Sequence, residues 1–310
     1  MSRAVLAVVA AALCVGACGP GAGSSADAPK DVNVTITRDF GNRLLRSVDS
    51  DELPPNETVM RLLMRKFDGV KTRYGGGFVQ TLEGLSGGKD SQGRPVDWFY
   101  YVNGVEATDG AAAHKIQPGD RIWWDRHDWK ATQHIPAVVG AWPEPFLHGI
   151  GGRRYPLTLA CAGEARACDE VQQRLENQGV DAVSRTSLHT ANGLKTLRIL
   201  VGPWSALKGE AAAAQLEKGP AVSGVYAIPH DTSFDFLDEN GEVAETRSGS
   251  VGIVAATSCC SQQPTWIVTG TDDAGVAAAA AGLRQDILHN RFAVALVNGR
   301  AVPLPVREDQ

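Results

Sequence analysis

Aromatic side chains concentrate in one stretch of the chain, where they could stack on a ligand. Four of the seven tryptophans lie between residues 98 and 129. Ring faces favour planar or polyhydroxylated ligands, because stacking buries a large area of the ring. If these rings are exposed, we expect Trp98, Tyr100, Trp123 and Trp124 to bind such a ligand. A structural role in a core or an interface is the alternative for each of them.

Other residue types that could do chemistry are sparse. No Gly-x-Ser-x-Gly elbow, phosphate-binding loop or His-Glu-x-x-His motif occurs in the chain. His127 and His134 are seven residues apart, but histidines in a polar loop need no function. Asp272 and Asp273 precede an Ala-rich segment, where they favour helix capping over anion binding. We therefore predict a protein that is not an enzyme and that holds no cofactor and no metal.

Four cysteines lie in the body of the chain, at positions 161, 168, 259 and 260. The even number favours two disulfides in an oxidising compartment. One scheme pairs Cys161 with Cys168 and Cys259 with Cys260, and the other forms two long-range bridges. Because bonds between adjacent cysteines are strained, we expect at least one long-range bridge. The spacings do not suit a zinc site.

The elements that carry the aromatic residues form an α+β unit. Val32, Val34 and Ile36 alternate with polar residues, which predicts a half-buried strand with a hairpin partner near residues 44–48. Breakers at residues 54–58 precede an apolar stripe at helical spacing. The strand over residues 98–102 is aromatic on both faces, so one face must be covered by something other than this helix.

Two segments carry a family resemblance. They are Trp-Phe-Tyr-Tyr-Val-Asn-Gly at residues 98–104 and Gly-Asp-Arg-Ile-Trp-Trp at residues 119–124. With the preceding strands and helix, they resemble the transcobalamin-like C-terminal domain family, a β-grasp-like module of bacterial surface proteins that is related to a domain of cobalamin carriers. The resemblance implies a β-grasp fold and a cobalamin-like ligand as one option.

From Tyr155 onward, strands and helices alternate in an Ala-, Gly- and Val-rich region. Leu-Val-Gly-Pro-Trp at residues 200–204, before an Ala-rich helix, resembles the SPOR fold of envelope proteins that bind peptidoglycan. The resemblance covers only the first part of this region. It implies an envelope scaffold or peptidoglycan-binding role as an alternative function.

The N-terminus resembles that of a bacterial lipoprotein. Arg3 is followed by an apolar run, and Gly16 and Ala17 stand directly before Cys18. The resemblance implies that Cys18 is diacylated and becomes the new N-terminus, on the extracytoplasmic face of the cell membrane. Two acyl chains would make such an anchor stable.

The composition excludes some partners. The net charge of −5 provides no general basic field for nucleic acid.

We predict an α+β protein whose β-grasp-like N-terminal domain is followed by an α/β, ferredoxin-like or SPOR-like region. The predicted parts are a signal peptide (1–17), a lipidated tether (18–30), the β-grasp domain (31–130), a linker (131–152), the α/β domain (153–305) and a tail (306–310).

The predicted function is non-catalytic capture of a ligand or partner at the cell surface. The expected partners are the membrane through the lipid anchor, a small molecule or glycan, and an envelope protein.

Overall fold

The computed structural model describes residues 28–162, 165–190, 195–259 and 263–307, except for the side chain of residue 165. The predicted signal peptide, Cys18, most of the tether, Cys260 and the last three residues lie outside the described residues. The described chain contains several sheets and short helices, which confirms the α+β class. None of the described helices is long and apolar enough to cross a membrane.

The first part of the chain forms a sheet that is crossed on one face by a helix. Its elements are β1 (Lys30–Arg38), β2 (Arg43–Glu52), α1 (Val59–Lys66), β3 (Lys71–Arg73), β4 (Phe78–Leu82), β5 (Leu85–Ser86), β6 (Gly88–Lys89), β7 (Pro95–Val102), β8 (Val105–Glu106) and β9 (Arg121–Asp128). The order in the sheet is β2-β1-β9-β7-β6, with β8 beside β7, whereas β3, β4 and β5 form a separate small sheet. The central pair, β1 and β9, runs parallel, and the other pairs run antiparallel. A mixed sheet covered by one helix agrees with the β-grasp prediction.

Local sequence explains these elements. Thr58 caps α1, because its hydroxyl accepts a hydrogen bond from the backbone N–H of Arg61 at 3.3 Å. Asn103 and Gly104 both have positive φ, at 53° and 74°, and form the tight turn between β7 and β8. Apolar residues of alternate strand positions meet α1 in one core.

The second part is built on a larger sheet. Its strands are β10 (Leu157–Cys161), β11 (Val183–Ser187), β12 (Leu197–Pro203), β13 (Ala227–Pro229), β14 (Ser233–Leu237), β15 (Val243–Ser248), β16 (Val251–Thr257), β17 (Thr265–Gly270), β18 (Ala293–Val297) and β19 (Arg300–Leu304). The sheet order is β11-β10-β12-β17-β16-β18-β19, and β13, β14 and β15 form a separate small sheet. The four strands from β11 to β17 pair in parallel, whereas the others in the large sheet pair antiparallel.

The helices of this part are short. They are α2 (Ala165–Asn177), α3 (Trp204–Leu207), α4 (Pro220–Ser223), α5 (Asp273–Ala281) and α6 (Gln285–Leu288). Asp272 caps α5 by accepting the backbone N–H of Gly275 at 2.7 Å, as the sequence predicts.

Cys161, at the end of β10, forms a disulfide with Cys168 in α2. The expectation of a long-range bridge is therefore wrong for these two cysteines. The physical reason is that the chain folds back from strand to helix within seven residues, which brings their Cα atoms to 6.2 Å. Cys259 is also disulfide-bonded.

The predicted linker packs between the two parts. Val138, Val139 and Trp142 are buried, and Trp142 contacts Trp266 of β17 with ring centroids 5.6 Å apart. The backbone N–H of Val138 donates to Gly104, and that of Val139 donates to Phe292. The connecting segment thus joins both sheets through its own core contacts.

Candidate functional site

The second face of the first sheet is covered by the second part of the chain. Phe292, just before β18, lies against Trp123, Phe40 and Tyr101, with ring centroids 5.1, 5.3 and 5.6 Å apart. These residues belong to one core with apolar side chains of the large sheet. The second cover that the aromatic strands require is therefore the other half of the protein.

A buried polar network lies within this interface. Asp125 accepts hydrogen bonds from the backbone N–H groups of Phe40 at 3.1 Å and Gly41 at 2.8 Å. It also contacts the Thr37 hydroxyl and His127 Nδ1, the latter at 2.8 Å. Because its oxygens are occupied within the chain, this carboxylate holds the turn between β1 and β2 in place.

The two histidines noted in the sequence differ in their surroundings. His127 is buried between the rings of Phe40 and Phe99, whose centroids lie 4.6 and 4.5 Å from its own. His134 is exposed, and its Nδ1 lies 3.6 Å from Glu106. The surroundings of His127 are therefore those of a core residue.

The four aromatic residues that the sequence predicts for ligand binding are buried. Trp98, Tyr100, Trp123 and Trp124 are only 4%, 8%, 4% and 2% exposed. They are buried because each face of the sheet has a cover, α1 on one side and the second part on the other. The condition that the rings be exposed is therefore not met, and their surroundings are those of the core alternative. Ligand binding by these residues stays a prediction, and it now depends on ring edges that line clefts.

Three of these residues share one small opening. Trp98, Tyr100 and Trp124 line a cleft of about 230 Å³ together with Phe78. The Tyr100 and Trp124 rings stack at 4.6 Å, and the Tyr100 hydroxyl donates to the Asp109 carbonyl at 2.6 Å. The structure places Trp123 elsewhere, on the opposite face of the sheet.

Trp123 lines a larger opening between the two parts of the chain, which we call the interdomain cleft. Its volume is about 380 Å³. That volume lies within the range of roughly 300–1,000 Å³ that is common for small-molecule sites. The lining side chains that could contact a ligand are Asn33, Thr35, Asp49, Arg121, Trp123, Trp142, Glu144, Gln178, Gln285, His289 and Asn290.

Two glycines allow the chain segments around Trp123 to approach closely. Gly41 has φ of +78°, and a Cβ there would lie 2.0 Å from the Asn290 carbonyl oxygen. A Cβ at Gly140 would lie 2.7 Å from both the Arg291 backbone nitrogen and the Trp123 ring. A side chain at either position would therefore force the neighbouring segments to shift, and at Gly41 the positive φ would add backbone strain.

A polar ladder forms one wall of the interdomain cleft. The Thr35 hydroxyl donates to Asn33 Oδ1 at 2.8 Å. Asn33 Nδ2 in turn donates to Ser47 Oγ at 3.1 Å and to Asp49 Oδ1 at 2.8 Å. These side chains hold one another in place, so the wall presents fixed hydrogen-bonding groups.

Two histidines in different electrostatic settings lie at or next to the cleft. His289 lines it, and His148 contacts the lining residue Glu144. The backbone N–H of His148 donates to Glu144 at 2.9 Å, and its Nδ1 contacts the same carboxylate at 2.5 Å. The hydrogen bond to Glu144 raises the pKa of His148. Partial burial, and then the nearby Arg291, lower the pKa of His289.

Sequence reasoning missed most of this cleft. The available signal was the alternation of Asn33, Thr35 and Thr37 along β1, which places these polar side chains on one face of the strand. The residues Gln178 and Gln285 carry no sequence signal, because they reach the cleft only through the packing of α2 and α6 on the large sheet.

The SPOR-like segment does not present its tryptophan to solvent. Trp204 is 1% exposed and belongs to the core beneath the large sheet. A glycan could not stack on this ring in the structure.

The comparison with known families agrees with the geometry of the first sheet and its helix. Residues 56–128 match a family described as a domain of unknown function, DUF4430. This family is transcobalamin-like, which confirms the resemblance for that part of the chain. No curated protein matches the chain.

Proposed function

We propose that this chain is a lipid-anchored, non-catalytic binding protein of the extracytoplasmic surface, and that the interdomain cleft holds a sugar-like ligand. The observation that carries the proposal is the lining of the cleft. Hydrogen-bonding side chains from both parts of the chain line the cleft together with Trp123. Hydroxyl-rich ligands need donors and acceptors at fixed positions beside an aromatic surface.

The size of the cleft supports a small glycan over a corrin. A volume of about 380 Å³ lies near the lower end of the range for drug-sized ligands. A cobalamin-like macrocycle is much larger and would be held only at its rim. The glycan option retains the cell-surface setting, since wall glycans are present there.

Two carboxylates of the cleft hold neighbouring polar groups in place. Glu144 accepts the backbone N–H of His148 and contacts its Nδ1, and Asp49 accepts from Asn33 Nδ2. Carboxylate oxygens that are fixed in this way suit hydrogen bonds from the hydroxyls of a sugar-like ligand.

Two features support an extracytoplasmic location. The Cys161–Cys168 disulfide fits an oxidising compartment. The lipoprotein-like leader ends at Cys18.

Anchoring is tested by growing cells with radiolabelled palmitate. Label should enter the wild-type chain and not Cys18→Ser, and label retained in Cys18→Ser would exclude this cysteine as the acylation site.

Ligand binding is tested with the full chain by calorimetry, using a muropeptide disaccharide and cobalamin as separate probes. We expect the disaccharide to bind to the wild-type chain. The double variant Gln178→Ala/Gln285→Ala should bind it about tenfold more weakly, because each lost amide hydrogen bond contributes about 0.5–1.5 kcal/mol to the binding free energy. Gln173→Ala, on an exposed position of α2, is the matched control and should bind normally. Equal affinity of the double variant and wild type would contradict the assignment of this cleft.

A further inference from the structure

A second opening, remote from the polar ladder, is lined mainly by charged groups, and we call it the charged cleft. It has a volume of about 450 Å³. Its cations are Arg38, Arg43, Lys89, Arg94, Arg126 and Arg307, and its carboxylates are Asp39, Asp90, Asp128 and Glu239. Cations therefore exceed carboxylates by two in a chain whose overall charge is negative.

Asp39 and its three arginines form the first set of ion pairs in the charged cleft. Asp39 lies within 4 Å of Arg38, Arg43 and Arg307, at 3.2, 3.8 and 3.3 Å. Arg307 also reaches Glu239 at 3.5 Å.

Arg94 lies beside the other three carboxylates of the cleft, although Asp128 Oδ2 and Glu239 Oε1 accept no hydrogen bond among the described residues. Its guanidinium lies 2.8 Å from Asp90, 3.0 Å from Glu239 and 3.9 Å from Asp128. Asp128 also accepts the backbone N–H of Lys130 at 2.7 Å. The four carboxylates of the cleft are thus engaged by Arg38, Arg43, Arg94 and Arg307.

Two cations remain without a carboxylate. Within the described part of the chain, neither Lys89 nor Arg126 has a carboxylate oxygen within 4 Å. Arg126 donates through Nε to the Ser86 carbonyl at 2.8 Å, which fixes its guanidinium and leaves the other two nitrogens available. Lys89 is exposed at the edge of the cleft.

The fold places Arg126 beside another cation. Arg38 and Arg126 are direct register partners on the parallel strands β1 and β9. Like charges in direct register destabilise a sheet. Partial burial is the main cause that lowers the pKa of Arg126. The carboxylates of Asp39, Asp90 and Asp97 raise it, and the charge of Arg38 lowers it by less than Asp39 or Asp90 raises it. An anion beside this guanidinium would replace hydration that burial removes.

We propose that the charged cleft binds a phosphate group, held by Arg126 and Lys89 with Arg38 at its side. The two unpaired cations match the charge of a phosphate near neutral pH, which is about −1.5 to −2. A planar guanidinium also fits phosphate oxygens in a bidentate arrangement.

A free phosphate-bearing ligand fits better than the headgroup of the anchoring membrane. Arg38 ends β1, whereas Lys30 begins it, so the tether would leave from the other end of the strand. At about 3.3 Å per residue, the two ends of this strand are about 26 Å apart.

The binding of inorganic phosphate to the full chain is measured by calorimetry and by NMR of the arginine side chains. We expect phosphate to bind at millimolar concentration, less tightly as salt rises, and about tenfold more weakly in Arg126→Gln. Lys89→Gln should weaken binding too, and it tests the site independently of folding because Lys89 is exposed. Lys71→Gln, an exposed cation of β3 outside the cleft, is the matched control and should bind as wild type does.

A second arm separates the two sources of phosphate. The chain is mixed with phosphatidylcholine vesicles with and without phosphatidylglycerol. The free ligand is supported if inorganic phosphate binds and vesicle binding does not depend on Arg126. If vesicle binding depends on Arg126 and inorganic phosphate does not bind, the site belongs to a lipid headgroup. That second result would overturn the choice of a free ligand. No change with either probe, or equal binding by wild type and both cleft variants, would overturn the proposal.

Discussion

The pH dependence of stability should reveal the buried carboxyl of Asp120, next to the turn that ends β7. Asp120 accepts hydrogen bonds from Asn103 Nδ2 at 3.0 Å and from the Gln117 backbone N–H at 2.8 Å. Burial is the main cause that raises its pKa from 3.8 to about 6, and the nearby Glu144 carboxylate adds to the effect. The hydrogen bonds from Gln117 and Asn103 oppose this rise without cancelling it.

The sign follows from where each state holds the proton. Between about pH 4 and pH 6 the folded chain keeps Asp120 protonated while the unfolded chain releases the proton, so the contribution of this group to stability falls as pH rises. The folded and unfolded pKa values differ by about 2, which corresponds to about 3 kcal/mol. The contribution is fully present below the unfolded pKa and is lost above the folded one.

The assay is urea unfolding of wild type and Asp120→Asn, followed by tryptophan fluorescence at about pH 4 and about pH 7. The stability of wild type relative to the variant should fall by about 2 kcal/mol between these pH values, because at about pH 4 the unfolded chain still holds part of the proton. The hydrogen bond that asparagine cannot accept is lost at both pH values and cancels in the comparison. Asp51→Asn, at an exposed position, is the control and should follow wild type. Parallel profiles of wild type and Asp120→Asn would refute the reasoning.

Two more predictions concern the interface and the cleft wall. Phe292→Ala should lower the free energy of unfolding by about 3–5 kcal/mol, because its ring joins the two parts of the chain. Val243→Ala, at a side chain that is 54% exposed, should change it by far less, and similar losses in both would contradict an interface held by Phe292. Glu144→Gln should lower the pKa of His148, since the carboxylate hydrogen bond raises it. An NMR titration of His148 checks this, and an unchanged midpoint would show that another group sets its pKa.

Local patterns predicted the elements of the first sheet well. The alternation at Val32, Val34 and Ile36 corresponds to β1, and the breakers before residue 59 correspond to the start of α1, which Thr58 caps. Such signals depend on neighbours in sequence, so one chain is enough to show them. The requirement for a second cover over the aromatic strands was also visible in the sequence.

The sites could not be predicted in the same way. Arg126 and Arg38 are 88 positions apart, and only the parallel pairing of β1 with β9 makes them neighbours. Gln285 and Asn33 belong to different parts of the chain and meet at the cleft because the aromatic interface fixes both.

By itself, the sequence determined the α+β class, the alternation of polar and apolar residues along the strands and the number of cysteines, and it predicts a lipoprotein-like leader. Only the tertiary structure decided that Trp98, Tyr100, Trp123 and Trp124 are buried and that Cys161 pairs with Cys168. Composition shows that a ring or a thiol exists, whereas its burial or partner depends on which distant surface covers it. In this chain that surface is the second sheet, which covers the aromatic face of the first and leaves two clefts along their boundary.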